Sequence, residues 1–207
     1  MHNKSGKDYF PVKGDNKTMI GEQTIIEAIC YVLSKLKRAD KIHLVKLIYL
    51  ADKYHLMNYG RTITDDDFKA FSHGPAGSRT LDVLDFNTFV LGKDDLELAK
   101  KLFQQGEGYE YFPGEECLTH QIEMLSESDI EALDFAINNF GRDKWETTNY
   151  THELPEWKQY EDRFKRCLTK REPIKTEELL WSPNDKFFHV PEEHIKQSRE
   201  ILIGTSD

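Results

Sequence analysis

The sequence predicts an all-α, mainly helical protein: a compact multi-helix bundle around a central buried helix, with a short β hairpin or extended-loop element. Apolar residues recur at helical spacing through most of the chain. One segment is apolar over nearly its whole girth, and one Gly- and Pro-punctuated stretch alternates aromatics. A chain of 207 residues can bury one substantial core. The reading divides it into a flexible arm (1–23), a helical domain (24–170) and a C-terminal extension (171–207) whose last helix packs on the domain.

The arm is rich in Lys, Asn, Asp and Gly, with only isolated apolar residues. Thr24 and Glu27 stand in the capping-box relation, and Ile25, Ile26, Ile29, Val32, Leu33 and Leu36 share one helical face. Asp40 is placed to cap a second helix reaching about Asn58, which Gly60 stops. Ile42, Leu44, Val45, Leu47, Ile48, Leu50, Ala51 and Tyr54 leave it only a narrow polar strip around Lys46 and Lys53. Pro75 can open a third helix carrying Leu81, Val83, Leu84 and Phe86, and Asp94 can cap a fourth. The stretch GEGYEYFPGEECL then breaks the helical pattern and reads as a hairpin, with the crossing 62–71 as its strand partner. Ser126 and Asp129 form a capping-box start for a helix that Gly141 ends. Pro155 opens a helix bearing Trp157, Tyr160, Phe164 and Leu168, and Pro191 opens the last, with Glu192 and Glu193 at its positive end.

Lys and Arg number 28 against 37 Asp and Glu, a net charge of -9 with the signs interspersed. Such a surface repels phosphate backbones and disfavours nucleic-acid binding by the isolated chain, whereas a basic protein partner suits it. Cys30, Cys117 and Cys167 are widely separated, which argues against a disulfide framework or a zinc ribbon and for a reducing cytoplasmic location. No apolar stretch reads as a leader or a membrane span.

His152-Glu153 invites comparison with H-E-x-x-H, but Glu156 occupies the second histidine position and Pro155 starts a helix there, so a metalloprotease is rejected. Thr151 to Pro155 reads instead as a cap for the following helix. His73, His120 and His152 are isolated in sequence and read as polar structural residues, with His73 placed just before a helix start. Cys30 reads as core, and Cys117 lies near His120 without a mechanism. Asp65-Asp66-Asp67 reads as a solvated turn. No catalytic set, metal site or cofactor is expected. A metal-dependent hydrolase using His73, His120 or His152 is the competing class, supported by residue identity alone.

The order LVKLIYLADKYHLMNYGRTIT, FKAFSHGPAGS, SDIEALDFAINNFGRDKW and THELPEWKQY resembles the Panacea domain, the SocA-like antitoxin family also found in phage-associated proteins. The resemblance runs from near Glu22 to about Tyr160. Its anchors are Lys46, Leu50, Tyr59-Gly60-Arg61, Ile63, Gly74-Pro75, Gly141, Thr151-His152-Glu153 and Trp157. Asn149-Tyr150 departs from the expected hydrophobic lead, and the tail from Arg171 runs beyond the shared motifs. The resemblance implies a non-enzymatic module that neutralises a cognate toxin, encoded by an adjacent gene, through direct protein contact. An alternative role delivers the toxin to a Clp-type protease. Arg61, Phe71, His73, Tyr109, Tyr111 and Trp157 flank the turns and loops best able to face outward, and are the candidate partner contacts. Lys46, Tyr59, Gly60, Gly74, Pro75, Thr151, His152 and Glu153 are assigned motif or structural roles.

Overall fold

Helix boundaries place one long helix at the centre of the molecule. A computed structural model describes residues 21–182 and 185–204, so most of the expected arm lies outside the described residues. Helix α1 (Glu22–Leu36) begins two residues earlier than Thr24, and its N-cap, Gly21, offers no side-chain cap. The Thr24 and Glu27 capping box does not form. Glu27 is buried and its carboxylate instead accepts from the Glu123 and Met124 backbone N–H groups and from the His120 ring. Satisfying two backbone donors of an irregular segment displaces the local cap.

After the two-residue strand β1 (Ala39–Asp40), helix α2 (Lys41–Tyr59) starts as expected, with the Asp40 carboxylate accepting from Ile42 N at 2.9 Å. It closes at Gly60, whose φ of 76° is the left-handed conformation that glycine adopts without strain. Leu44, Leu47, Leu50, Ala51, Leu56 and Met57 are fully buried. The expected polar strip is not solvent-facing: Lys46, Asp52, Lys53 and His55 are buried as well. Each finds at least one hydrogen-bond partner outside the helix.

Strands β2 (Phe68–Phe71) and β3 (Gly74–Gly77) form an antiparallel hairpin with Phe71 opposite Gly74. Pro75 therefore opens no helix. It lies on an edge strand, where its missing N–H costs no ladder bond. Helix α3 (Ser78–Leu84) begins three residues later because Asp66 caps it from a distance, accepting from the Arg79 and Thr80 N–H groups and the Thr80 hydroxyl. Asp66 is thus buried structure rather than part of a solvated turn, and a Cβ on Gly77 would stand 2.0 Å from its Oδ2.

Helix α4 (Lys93–Leu102) takes Gly92, not Asp94, as its N-cap. The expected hairpin forms from β4 (Phe103–Gln105) and β5 (Glu110–Pro113), but β5 pairs with β1 rather than with the 62–71 crossing. Helix α5 (Glu127–Phe140) carries the reciprocal Ser126 and Asp129 cap and packs along α2. Helix α6 (Lys144–His152) was not expected. Thr151 and His152 close it, so they do not cap the next helix. The helix expected from Pro155 breaks into α7 (Pro155–Lys158) and α8 (Glu161–Lys165), leaving Leu168 exposed.

Strand β6 (Arg171–Pro173) adds to the free edge of β2, giving two three-stranded sheets among the described residues, β1-β5-β4 and β3-β2-β6, where one hairpin was expected. A 3-10 turn (Thr176–Leu180) and helix α9 (Glu192–Gly204) follow and pack on α2. The Ser198 hydroxyl donates to Met57 O at 3.0 Å. The architecture is mainly helical with a minor β part, and no helix among the described residues is long and apolar enough to cross a membrane.

Candidate partner-binding pocket

The first half of α2 presents Ile42, Val45 and Lys46 toward two turns. On one side the β4–β5 tip is held by Lys41 N donating to Tyr109 O at 2.8 Å. On the other lies the β2–β3 turn with Phe71, Ser72 and His73. Between them is a cavity of about 330 Å³, walled by Ile42, Val45, Phe71, Ala76 and Leu81, with Asp40, Lys41, His73, Tyr109 and Lys170 around it. Tyr109 is 70% exposed, unlike most aromatics of the chain.

Lys46 forms the floor. It is 2% exposed, and its Nζ donates to Pro75 O at 2.6 Å. Burial alone pushes its pKa from 10.5 down to about 7. Gly74 makes this arrangement possible. Its φ is +98°, and a Cβ there would stand 2.5 Å from Lys46 Nζ and 2.9 Å from His152 Cδ2. His152 stacks on Trp157 with centroids 4.2 Å apart, and its ring hydrogen-bonds the His73 backbone. Its Nε2 is buried and has no hydrogen-bond partner among the described residues, and burial lowers its pKa. The Trp157 indole N–H donates to Phe71 O at 2.8 Å. His152 and Trp157 therefore support the β2–β3 turn from beneath.

A second buried centre lies farther along α2. Lys53 Nζ is 3.0 Å from Glu156 Oε1, with neither side chain exposed, and donates to the Leu179 and Trp181 carbonyls. Burial lowers the Lys53 pKa, opposed by the Glu156 charge. The Tyr49 hydroxyl donates to the same carboxylate at 2.9 Å, and burial with that charge raises its pKa. This cluster joins α2, α7 and the tail, and has no opening to solvent at its lysine or glutamate.

The candidate contacts separate accordingly. Phe71, His73 and Tyr109 meet at the pocket. Tyr111 and Trp157 do not face outward: Tyr111 is fully buried with its hydroxyl donating to Leu84 O, and Trp157 is 3% exposed. Period-two alternation sends Tyr109 and Tyr111 toward one face, but the strand starts only at Glu110, so Tyr109 belongs to the tip. Arg61 lies at the far end of α2, where its guanidinium is 2.9 Å from Asp129 and bonds Ser126. Tyr59 donates to Glu131 at 2.6 Å, and Glu153 pairs with Lys158. Sequence reasoning missed Lys170, Ile42 and Val45 as pocket residues. Trp145 is exposed and lies under Lys144 as that lysine pairs with Asp40 on the pocket rim. The Asp143 carboxylate, capping α6, accepts from the Trp145 backbone N–H.

His120 is held at Glu27, away from His73 and His152. Among the described residues no group of three His, Cys, Asp or Glu side chains gathers in an arrangement that could hold a metal ion. Residues 44–158 match the family described as antitoxin SocA-like, Panacea domain, which is more than half of the chain. The chain belongs to that family. No curated protein and no solved structure matches it. The Panacea match takes in Lys46, Gly74, His152 and Trp157, the floor and lower support of the pocket, while Ile42 and Lys170 fall outside it.

Proposed function

We propose that this chain is the antitoxin of a toxin–antitoxin pair and neutralises a cognate protein toxin by direct binding, without turnover. The contact face is the surface around the Lys46 pocket. Membership of the antitoxin family supports the role, and the convergence of Phe71, His73 and Tyr109 on an open apolar cavity supports the place. Exposed Trp145 extends that face past Asp40. Aromatic anchors beside an apolar recess are the usual carriers of interface energy. The net charge of -9 suits a basic toxin approaching the rest of the surface.

The test is co-expression with the adjacent reading frame. Growth rescue together with co-purification is expected. Replacing Tyr109 and Trp145 by alanine should weaken the complex by roughly thirtyfold or more, the effect of losing about 2 kcal/mol at a hot spot, without altering the melting temperature. A non-toxic neighbour, or rescue without physical association, would overturn the reading.

A further inference from the structure

The two buried lysines of α2 differ in what they face. Lys53 has a carboxylate and two carbonyls. Lys46 has the Pro75 carbonyl, and among the described residues no carboxylate lies within ion-pair distance of it. An ammonium has three N–H donors, so the floor of the pocket retains donor capacity beneath apolar walls. Lys170 and His73 stand around the opening with Lys41, whose ammonium pairs with Asp85. The single acid there, Asp40, is already engaged by Ile42 N and Lys144. A cavity of about 330 Å³ lies at the low end of small-ligand sites, which run from roughly 300 to 1,000 Å³, and admits a residue rather than a helix. A protein carries a carboxylate directly beside an apolar side chain at its last residue.

We propose that this pocket captures the carboxyl-terminal residue of the partner protein, an apolar side chain with its free α-carboxylate. Lys46 meets the carboxylate, Ile42, Val45, Phe71 and Leu81 enclose the side chain, and Tyr109 covers it. Chain-end recognition of this kind needs few contacts because the end is sterically free and charged. The inference rests on the pocket being the toxin-facing site and names the chemistry it reads.

The probe is N-acetylleucine, compared with N-acetylleucinamide and with acetate, titrated into the full chain and followed by amide NMR. The acid should shift Phe71, Gly74 and Tyr109 saturably, while the amide and acetate should not. Lys46→Met keeps the apolar stem and should weaken binding roughly tenfold or more with the spectrum otherwise folded. Tyr109→Ala, at an exposed tip, should weaken it severalfold and supplies a second variant should the first not fold. An equal response to acid and amide, an equal response to acetate, no saturable response to the acid, or full binding by Lys46→Met would overturn the inference. Co-purification of a toxin lacking its last residues as efficiently as the intact one would also overturn it, and would leave the antitoxin reading standing. A harmless neighbour would remove that reading while the titration still decides the pocket.

Discussion

At the scale of single residues, Gly74 and Lys46 define each other. A side chain at Gly74 would meet both a left-handed backbone and the Lys46 amine, so Gly74→Ala should lower stability by about 1–3 kcal/mol in urea denaturation. The lysine gives a pH signature whose sign follows from linkage. Its folded pKa, about 7, lies below the ordinary 10.5, so between those values the unfolded chain binds a proton that the folded chain does not. Stability contributed at this site should therefore rise from pH 7 toward 10. The difference in unfolding free energy between the native protein and Lys46→Met, measured from pH 7 to 9.5, should change in that sense. A flat difference would show that Lys46 is not desolvated. Lys46 and Gly74 were visible as motif positions in the sequence. Their contact was not, because it depends on a strand turn passing over the helix 28 residues away.

At the scale of elements, legibility followed local chemistry. Asp40, Gly60 and the Ser126–Asp129 box act within a turn of their own helices, and all three appear where the sequence places them. The start of α3 did not, since its cap, Asp66, comes from a segment twelve residues upstream of the helix. Helix α6 lacks an apolar stripe: it buries Thr147 and Thr151, and Thr147 donates to Phe140 O at 2.6 Å. Hydrogen bonds rather than periodicity hold it. The seam between α2 and α7 depends on the Lys53–Glu156 pair. Glu156→Gln leaves a buried lysine without its counter-charge and should cost about 3–5 kcal/mol. Replacing both by Met and Leu should recover much of that loss, and chemical denaturation of the two variants beside the native protein decides it.

At the scale of the whole molecule, the tail expected as an extension is woven into the same structure. Strand β6 completes the β2 sheet, the carbonyls of Leu179 and Trp181 receive Lys53, and Leu179, Leu180 and Phe188 are buried. A chain ending at Lys170 should lose cooperative thermal unfolding, because it removes the two carbonyls that receive Lys53 and uncovers part of α2. A sharp transition near that of the full chain would show the tail to be dispensable. Distant pairings also brought together what the cysteine spacing hid: the thiols of Cys30 and Cys117 lie 2.7 Å apart in the core, while Cys167 is exposed.

Strand β2 lies between β3, which follows it at once, and β6, made a hundred residues later. Phe71 of β2 walls the pocket, and Lys170, next to β6, stands at its rim. A ribosome delivers these parts in order, and domains gain their contacts as the chain emerges. The recess is thus finished only when the stretch through Pro173 is free of the exit tunnel. Binding at the proposed pocket therefore waits until synthesis has passed Pro173.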